Sequence, residues 1–342
     1  MNKIPVKIKF QNGLSFKYAV KDILSYVQHR FEFIDSDNPD FIVFGPYGND
    51  IPEKSDRYTR IGYFCENLKP DLSICEWAFG IPREEDVNDP RYRKIYWHDL
   101  DPESLIKSAD YDPEKIAGSK KKFCNFLYSH PVPYREEFFR QLSKYKKVDA
   151  PGKSMNNMNS IDDLYPGEKW DRKRKFLSAY KFTIAFENYV YPGYQTEKLY
   201  DAMRVNSLPI YCGDPFIGDV FNTRSFVNAA DCLAPNRSIT VTRLEKYSQP
   251  DFNDLRPSFY NKPAHRIKRK LKSIGRSIKL SYEFRNMDFQ PLIDRIIELD
   301  RDHDKYIEVL MQPWFKNNEP PVSASLVNRW TEIFEKNKSC WI

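Results

Sequence analysis

Polar side chains that could bind an anion crowd a short stretch near the middle of the chain. They are Glu187, Asn188, Tyr194, Thr196, Glu197 and Lys198. Thr196 is a good N-cap, and the apolar residues after it recur at helical spacing, which predicts a helix starting there. A helix N-terminus presents free N–H groups and a partial positive charge, to which Lys198 adds a full charge. The stretch therefore suits a phosphate, although an ordinary solvated helix end carries similar residues.

Two short apolar runs flank this stretch and predict the elements that position it. Residues 182–186 and 208–212 are rich in strand-forming residues, and the turn of Gly213 and Asp214 closes the second run. A right-handed crossover makes the two strands parallel and places the helix N-terminus at their carboxyl edge. Ligands bind at that edge in α/β proteins, so the polar stretch lies where a binding site is expected.

Length and composition predict a soluble globular protein with two domains. The chain has 342 residues, of which 41% are hydrophobic and 30% charged, and its net charge is +6. No apolar stretch approaches the length of a membrane span, and the first ten residues lack the apolar core of a signal peptide. The six cysteines show no zinc-binding spacing, which favours buried free thiols. These features predict a cytoplasmic location.

The pattern of short strands and helices predicts an α/β fold on both sides of a boundary near residue 118. Strands are expected at 6–10, 41–44, 61–65 and 72–75, followed by a polar stretch before Phe123. We therefore predict an acceptor-side domain at 1–118 and a nucleotide-binding domain at 119–310. The remaining residues, 311–342, are expected to form a helical segment that packs back on the first domain.

A basic insertion at about 256–285 interrupts the second predicted domain. No acidic residue occurs from 256 to 282, and basic residues alternate with apolar residues at helical spacing. This pattern predicts a basic amphipathic helix over 266–280. Such a helix can lie on an anionic membrane, gaining about 1 kcal/mol for each basic side chain near the surface. A surface helix with a solvated basic face fits the sequence equally well.

The motif residues resemble those of a known enzyme family. Residues 181–198 and 208–213 resemble the donor-binding motif of the α1,3-fucosyltransferases, glycosyltransferase family 10, and the similarity extends to 63–67, 123–135 and 221–231. The resemblance implies a GT-B fold, in which two Rossmann-like domains face a cleft. It also implies inverting transfer of fucose from GDP-β-L-fucose to the 3-OH of GlcNAc in a β-galactosyl-GlcNAc acceptor. Such an oligosaccharide or glycolipid acceptor would be of the Lewis-x type, in glycan or surface polysaccharide synthesis.

The resemblance assigns donor contacts to five residues. Arg135 and Lys198 correspond to the pair that binds the diphosphate, where a guanidinium gives bidentate contacts and an ammonium gives a point charge. Glu197 would repel that diphosphate, so it is expected on the fucose and nucleoside side as a catalytic carboxylate. Asn188 and Tyr194 would add further contacts to the donor.

Three more residues complete the predicted site. Glu66 corresponds to the general base that takes the proton of the acceptor hydroxyl, and Tyr63 would line the same pocket. Glu187 would orient Lys198 or Arg135 as a buried partner, or cap the loop. With two cations on the diphosphate no metal is required, so we predict no cofactor and at most a stimulatory effect of Mn²⁺ or Mg²⁺.

Two other interpretations compete with this one. A GT-B transferase that uses a different nucleotide sugar would share the fold and most of the motif. A basic nucleic-acid-binding protein would explain the net charge and the basic runs at 120–122, 172–175 and 266–272. No DNA-binding or RNA-binding motif accompanies those runs, so nucleic acid is not an expected partner. If the basic helix is not simply a solvated surface helix, the additional partner is an anionic membrane surface at the inner face, bound through 266–280.

Overall fold

The computed structural model describes residues 3–96, 102–233, 238–284, 287–320 and 324–336. These residues form two compact units. The first unit consists of the described residues within 1–100, 242–279 and 322–342, and the second of those within 101–241 and 280–321. Each unit contains a parallel sheet with helices, so the predicted α/β class is confirmed.

The sheet of the first unit runs in the order β2-β1-β3-β4-β5-β6, with all neighbours parallel. Its strands are β1 (Ile4–Gln11), β2 (Phe31–Asp35), β3 (Phe41–Phe44), β4 (Thr59–Phe64), β5 (Trp77–Gly80) and β6 (Tyr92–Lys94). The predicted strand at 72–75 was wrong, because Leu72–Ile74 is a short 3₁₀ helix. The Asp71 side chain accepts the Ser73 N–H at 3.0 Å, and this local bond competes with strand pairing.

The sheet of the second unit runs in the order β11-β10-β9-β7-β8 and is also parallel. Its strands are β7 (Lys122–Asn125), β8 (Val148–Asp149), β9 (Tyr180–Phe186), β10 (Leu208–Cys212) and β11 (Val227–Asn228). The residues of β9 and β10 are apolar almost throughout because both faces of this sheet are covered. The predicted pair of parallel strands around the central helix is confirmed.

Helices connect the strands in both units. They are α1 (Phe16–Asp22), α2 (Glu84–Val87), α3 (Pro113–Ser119), α4 (Pro133–Tyr145), α5 (Ile161–Leu164), α6 (Lys169–Ser178), α7 (Glu197–Arg204), α8 (Ala229–Cys232), α9 (Ile239–Ser248), α10 (Pro257–Tyr260), α11 (Pro263–Glu283), α12 (Gln290–Arg301), α13 (His303–Met311) and α14 (Ala324–Lys336). The basic helix predicted at 266–280 is therefore present as α11. Within the described residues, no helix combines the length and the apolar character that crossing a bilayer requires.

The boundaries of the two compact units differ from the predicted domain boundaries. Residues 242–279 belong to the first unit, although the prediction placed them within 119–310. The reason is core packing: the Phe252 ring lies 5.2 Å from that of Phe64 and 6.4 Å from that of Phe44. Described residues from 102 to 118 belong to the second unit. At the other end, α14 packs on the first sheet, where Trp330 stacks on Phe79 at 4.1 Å.

Candidate active site

The predicted donor-binding residues meet at the carboxyl edge of the second sheet. Strand β9 ends at Phe186, and Glu187 follows it directly. Helix α7 begins at Glu197, and the loop 188–196 joins the two elements. Six of the predicted residues lie in this unit, which are Arg135, Glu187, Asn188, Tyr194, Glu197 and Lys198.

Glu187 is a fully buried carboxylate at the centre of this group. It has no exposed surface, and it accepts the Thr196 N–H at 2.9 Å and the Thr196 hydroxyl at 2.7 Å. The Lys198 ammonium donates to it at 3.2 Å. Thr196 occupies the N-cap position of α7 as predicted, but its hydroxyl binds Glu187 and makes no cap hydrogen bond. Glu187 therefore ties the strand end to the first turn of α7.

Lys198 stays charged in this position. Burial alone lowers the pKa of its ammonium group, but the charges of Glu187 and Glu197 outweigh burial and raise the pKa above its ordinary value. The ammonium also donates to the Thr196 hydroxyl at 2.9 Å. A fixed positive charge thus lies in the first turn of a helix, where the backbone N–H groups add their own partial charge.

Arg135 lies in the first turn of α4 and is 1% exposed. Its guanidinium stacks on the Tyr128 ring, 3.6 Å from the centroid, and donates to Asn188 Oδ1 at 3.0 Å and to the His130 carbonyl at 2.6 Å. Its Nε has no hydrogen-bond partner among the described residues. The structure brings Arg135 and Asn188 together and fixes the start of the loop, while a contact with diphosphate stays a prediction.

Glu197 is the more exposed of the two acids, with 39% of its side chain accessible. Burial raises the pKa of this carboxyl, but the charges of Lys198 and Lys173 outweigh burial and hold the pKa below its usual value. Lys173, on the neighbouring helix α6, forms an ion pair with Asp201 of α7 at 2.5 Å. An ionised carboxylate therefore stands at the N-terminus of α7, within reach of solvent.

Asp214 is a structural residue of this site that the sequence analysis treated only as part of a turn. It is 2% exposed, and it accepts the Gly193 N–H and the Gln195 Nε2–H, each at 2.8 Å. Gly193 has a φ of 81°, a backbone conformation that favours glycine. Asp214 thus holds the residues on both sides of Tyr194, and Glu187 holds the end of the loop at Thr196. The aspartate in the turn directly after a buried strand is the signal that could have indicated this role.

Glu66 and Tyr63 lie in the first unit. Glu66 follows the carboxyl end of β4, is half-buried and accepts a hydrogen bond from the Tyr47 hydroxyl. Burial, together with this bond, raises the pKa of the Tyr47 phenol, which therefore remains a donor. Tyr63 is 4% exposed, with its ring 6.4 Å from that of Phe79. Tyr47 was not predicted from the sequence, which gave no signal that it would meet Glu66.

The described residues contain no group of three or more His, Cys, Asp or Glu side chains placed to hold a metal ion. None of the described cysteines forms a disulfide: Cys65, Cys75 and Cys124 are buried, and Cys212 and Cys232 are partly exposed. Cys340, the remaining cysteine of the sequence, lies outside the described residues. The prediction that no metal is required remains a prediction.

Comparison with known proteins relates this site to one family. Residues 117–246 match the C-terminal domain of glycosyltransferase family 10 (fucosyltransferase). The chain is 38% identical over 151 residues to a putative fucosyltransferase of Acanthamoeba polyphaga mimivirus, covering 43% of this chain and 24% of the relative. It is 30% identical over 266 residues to an alpha-(1,3)-fucosyltransferase of Helicobacter pylori, covering 68% of this chain and 51% of the relative. The chain therefore spans about half, or less, of the length of these relatives.

The fold is similar to that of solved fucosyltransferase structures. A crystal structure of an alpha1,3-fucosyltransferase with GDP-fucose superposes with a TM-score of 0.61 at 21% identity, covering 98% of this chain and 92% of the other. A structure with GDP superposes equally well. This likeness supports the predicted GT-B fold. The match of residues 117–246 to the family 10 model agrees with the resemblance that the motif residues indicated.

Proposed function

We propose that this protein transfers fucose from GDP-β-L-fucose to the 3-OH of GlcNAc in a β-galactosyl-GlcNAc acceptor, with inversion at the anomeric carbon. The single observation that carries the proposal is the charged Lys198, held by buried Glu187 in the first turn of α7 within a family 10 domain. An alpha1,3-fucosyltransferase of the same fold is known with GDP-fucose, which supports this donor.

The proposed donor site stabilises the departing diphosphate. Loss of GDP builds negative charge on the bridging oxygen, and fixed donors aimed at that charge lower the barrier. Lys198 and the free N–H groups of α7 supply such donors, and Arg135 supports them through Asn188. Glu197 would repel phosphate, so we place it toward the fucose ring, which becomes positively charged in the transition state. These fixed charges supply what a metal ion would otherwise supply at the diphosphate.

Glu66 is the proposed general base. Inversion by direct displacement needs one carboxylate to take the proton of the acceptor hydroxyl, and no covalent intermediate. The hydrogen bond from the Tyr47 hydroxyl fixes the orientation of this carboxylate. Tyr63 is buried in β4, the strand that precedes Glu66, and we propose that it lines the same pocket.

The proposed acceptor is an oligosaccharide or a glycolipid, in the synthesis of Lewis-type glycans or surface polysaccharide on the cytoplasmic side of a membrane. The buried thiols that form no disulfide among the described residues support a reducing compartment. A GDP-fucose protein O-fucosyltransferase 3 of Xenopus laevis is 28% identical over 153 residues, covering 42% of this chain and 30% of that protein. A peptide acceptor therefore belongs in any acceptor panel, beside defined oligosaccharides read by linkage analysis.

The choice of donor tests the proposed function. We expect the protein to consume GDP-fucose in the presence of EDTA and to leave GDP-mannose and UDP-galactose intact, with Mn²⁺ or Mg²⁺ adding at most a modest increase in rate. Released GDP or UDP, measured with and without acceptor, provides the readout. Rapid turnover of the UDP sugar would instead establish a transferase with a different donor, and complete loss of activity in EDTA would contradict the metal-free mechanism.

Replacing the base separates chemistry from donor binding. Glu66→Gln keeps the size and the hydrogen bond from Tyr47 but cannot accept the proton. We expect GDP affinity to stay unchanged in calorimetry while transfer falls by a factor of about 10²–10⁴, the usual contribution of general-base catalysis. The matched control is Glu85→Gln, whose carboxylate is 71% exposed, and it should retain full activity. A near-normal rate for Glu66→Gln would rule out this base.

Removing the fixed cation should weaken nucleotide binding. We expect Lys198→Ala to lose about 1.5–3 kcal/mol of GDP binding free energy, the range for hydrogen bonds to charged groups. Lys198→Arg keeps the charge and should recover part of the affinity, which separates the effect of charge from any effect of folding. The exposed Lys175 of α6 provides the control, because Lys175→Ala should bind GDP normally. Equal GDP affinity for Lys198→Ala and the native protein would remove Lys198 from the donor site.

The loop anchor can be tested by removing its acceptor. In Asp214→Ala, the Gly193 N–H and the Gln195 Nε2–H lose the carboxylate that accepts them. We expect the KM for GDP-fucose to rise and stability to fall by about 1–3 kcal/mol, the cost of an unsatisfied buried group. The control is Asp219→Ala, which replaces an exposed aspartate close by and should leave both quantities unchanged. An unchanged KM for Asp214→Ala would show that Asp214 does not order the loop.

A further inference from the structure

Helix α11 carries a row of apolar side chains that the transfer reaction does not use. Ile267 and Leu271 are each 62% exposed, Ile274 is 46% exposed and Ile278 is 42% exposed. The spacing of four, three and four residues places all of them on one face of the helix. Isolated exposed apolar residues are common on protein surfaces, but a continuous row along one helix face indicates an interaction surface.

The opposite face of α11 is fixed to the first unit by its own basic residues. Lys272 donates to Asp251 at 2.8 Å and to Asp254 at 2.5 Å. Lys279, which is fully buried, forms an ion pair with Glu245 at 3.2 Å. Because these bonds prevent rotation of the helix, the apolar row points away from the unit. The basic residues predicted as one cluster therefore serve two different purposes.

Other basic residues border the apolar row. Arg266 and Lys270 lie along one side of it and are exposed, and neither has an acidic partner among the described residues. Lys268 lies along the other side, 56% exposed and paired with Asp251 at 2.9 Å. No acidic residue occurs from 256 to 282 to offset these charges. The face therefore combines a narrow apolar row with a positive border.

We propose that this face of α11 docks the protein on the surface of an anionic phospholipid bilayer, with the helix axis in the plane of the membrane. The four apolar side chains would enter the boundary between headgroups and acyl chains, and Arg266 and Lys270 would meet the lipid phosphates. The docking rests on the helix alone and does not depend on the proposed transfer activity. It would keep a fucosyl donor site close to acceptors that are embedded in a membrane.

Charge favours a membrane over other occupants of this face. A second copy of the same helix would bring Arg266 and Lys270 against like charges, which opposes self-association. A nucleic acid would contact the cations but leave the apolar row in water, because phosphate backbones bind through charge. Of these three occupants, only an anionic bilayer matches both the apolar row and its positive border.

Co-sedimentation of the full chain with vesicles tests the proposal. We expect binding to vesicles of phosphatidylcholine mixed with phosphatidylglycerol and little binding to phosphatidylcholine alone. Leu271→Glu combined with Ile274→Glu should lower the partition coefficient by roughly tenfold for each apolar side chain removed. Arg266→Gln combined with Lys270→Gln should reduce vesicle binding less than the two glutamate substitutions do. This reduction should become smaller as salt is raised to about 1 M, because the Debye length there is about 3 Å.

The controls separate this proposal from the proposed function. Tyr18→Glu replaces an exposed aromatic residue of the first unit, outside α11, and should bind vesicles normally. Transfer to a soluble acceptor without vesicles should be unchanged in the Leu271→Glu/Ile274→Glu variant. Equal vesicle binding by that variant and the native chain would overturn the proposal. The proposal would also be overturned if neither the native chain nor the variant bound vesicles, while the native chain formed a stable dimer or was retained on DNA and the variant was not.

Discussion

The candidate site depends on one buried carboxylate. Glu187 has no contact with solvent, and a buried charge is tolerated only when it is paired and hydrogen-bonded. Thr196 and Lys198 meet that requirement, and in doing so they fix the start of α7 against the end of β9. The same ion pair keeps the ammonium charged and immobile, so no reorganisation is needed when an anion arrives. Stability of the loop and readiness for binding thus have a common cause.

The loop between β9 and α7 is preorganised by partners from several elements. Glu187 holds its end, Asp214 of the neighbouring turn holds its middle, and Arg135 of α4 holds its start through Asn188. Loops are usually the mobile part of an α/β unit, and ordering them on binding costs affinity. Here the hydrogen bonds within the protein order the loop in advance, which leaves Tyr194 in a defined position at the edge of the sheet.

The basic helix shows how one composition can serve structure and recognition together. Lys272 and Lys279 neutralise Asp251, Asp254 and Glu245 and tie α11 to the rest of 242–279. Arg266 and Lys270 carry charge that no described acid offsets, beside an apolar row. The net charge of +6 is therefore a poor guide to function by itself, because some basic residues of this helix form ion pairs within the protein.

The sequence alone determined the central unit of strand, loop, helix and strand, and with it five of the predicted site residues. Apolar runs and helical spacing are local patterns, and Glu187 and Lys198 are close enough in the chain for the same unit to bring them together. Only the tertiary structure decided that Asp214 anchors the loop, that Tyr47 binds Glu66, that 242–279 returns to the first unit and which side of α11 faces outward. Each of these depends on which distant elements pack together, because a hydrogen bond or ion pair forms only where the fold brings its two partners into contact, and no local pattern encodes that meeting.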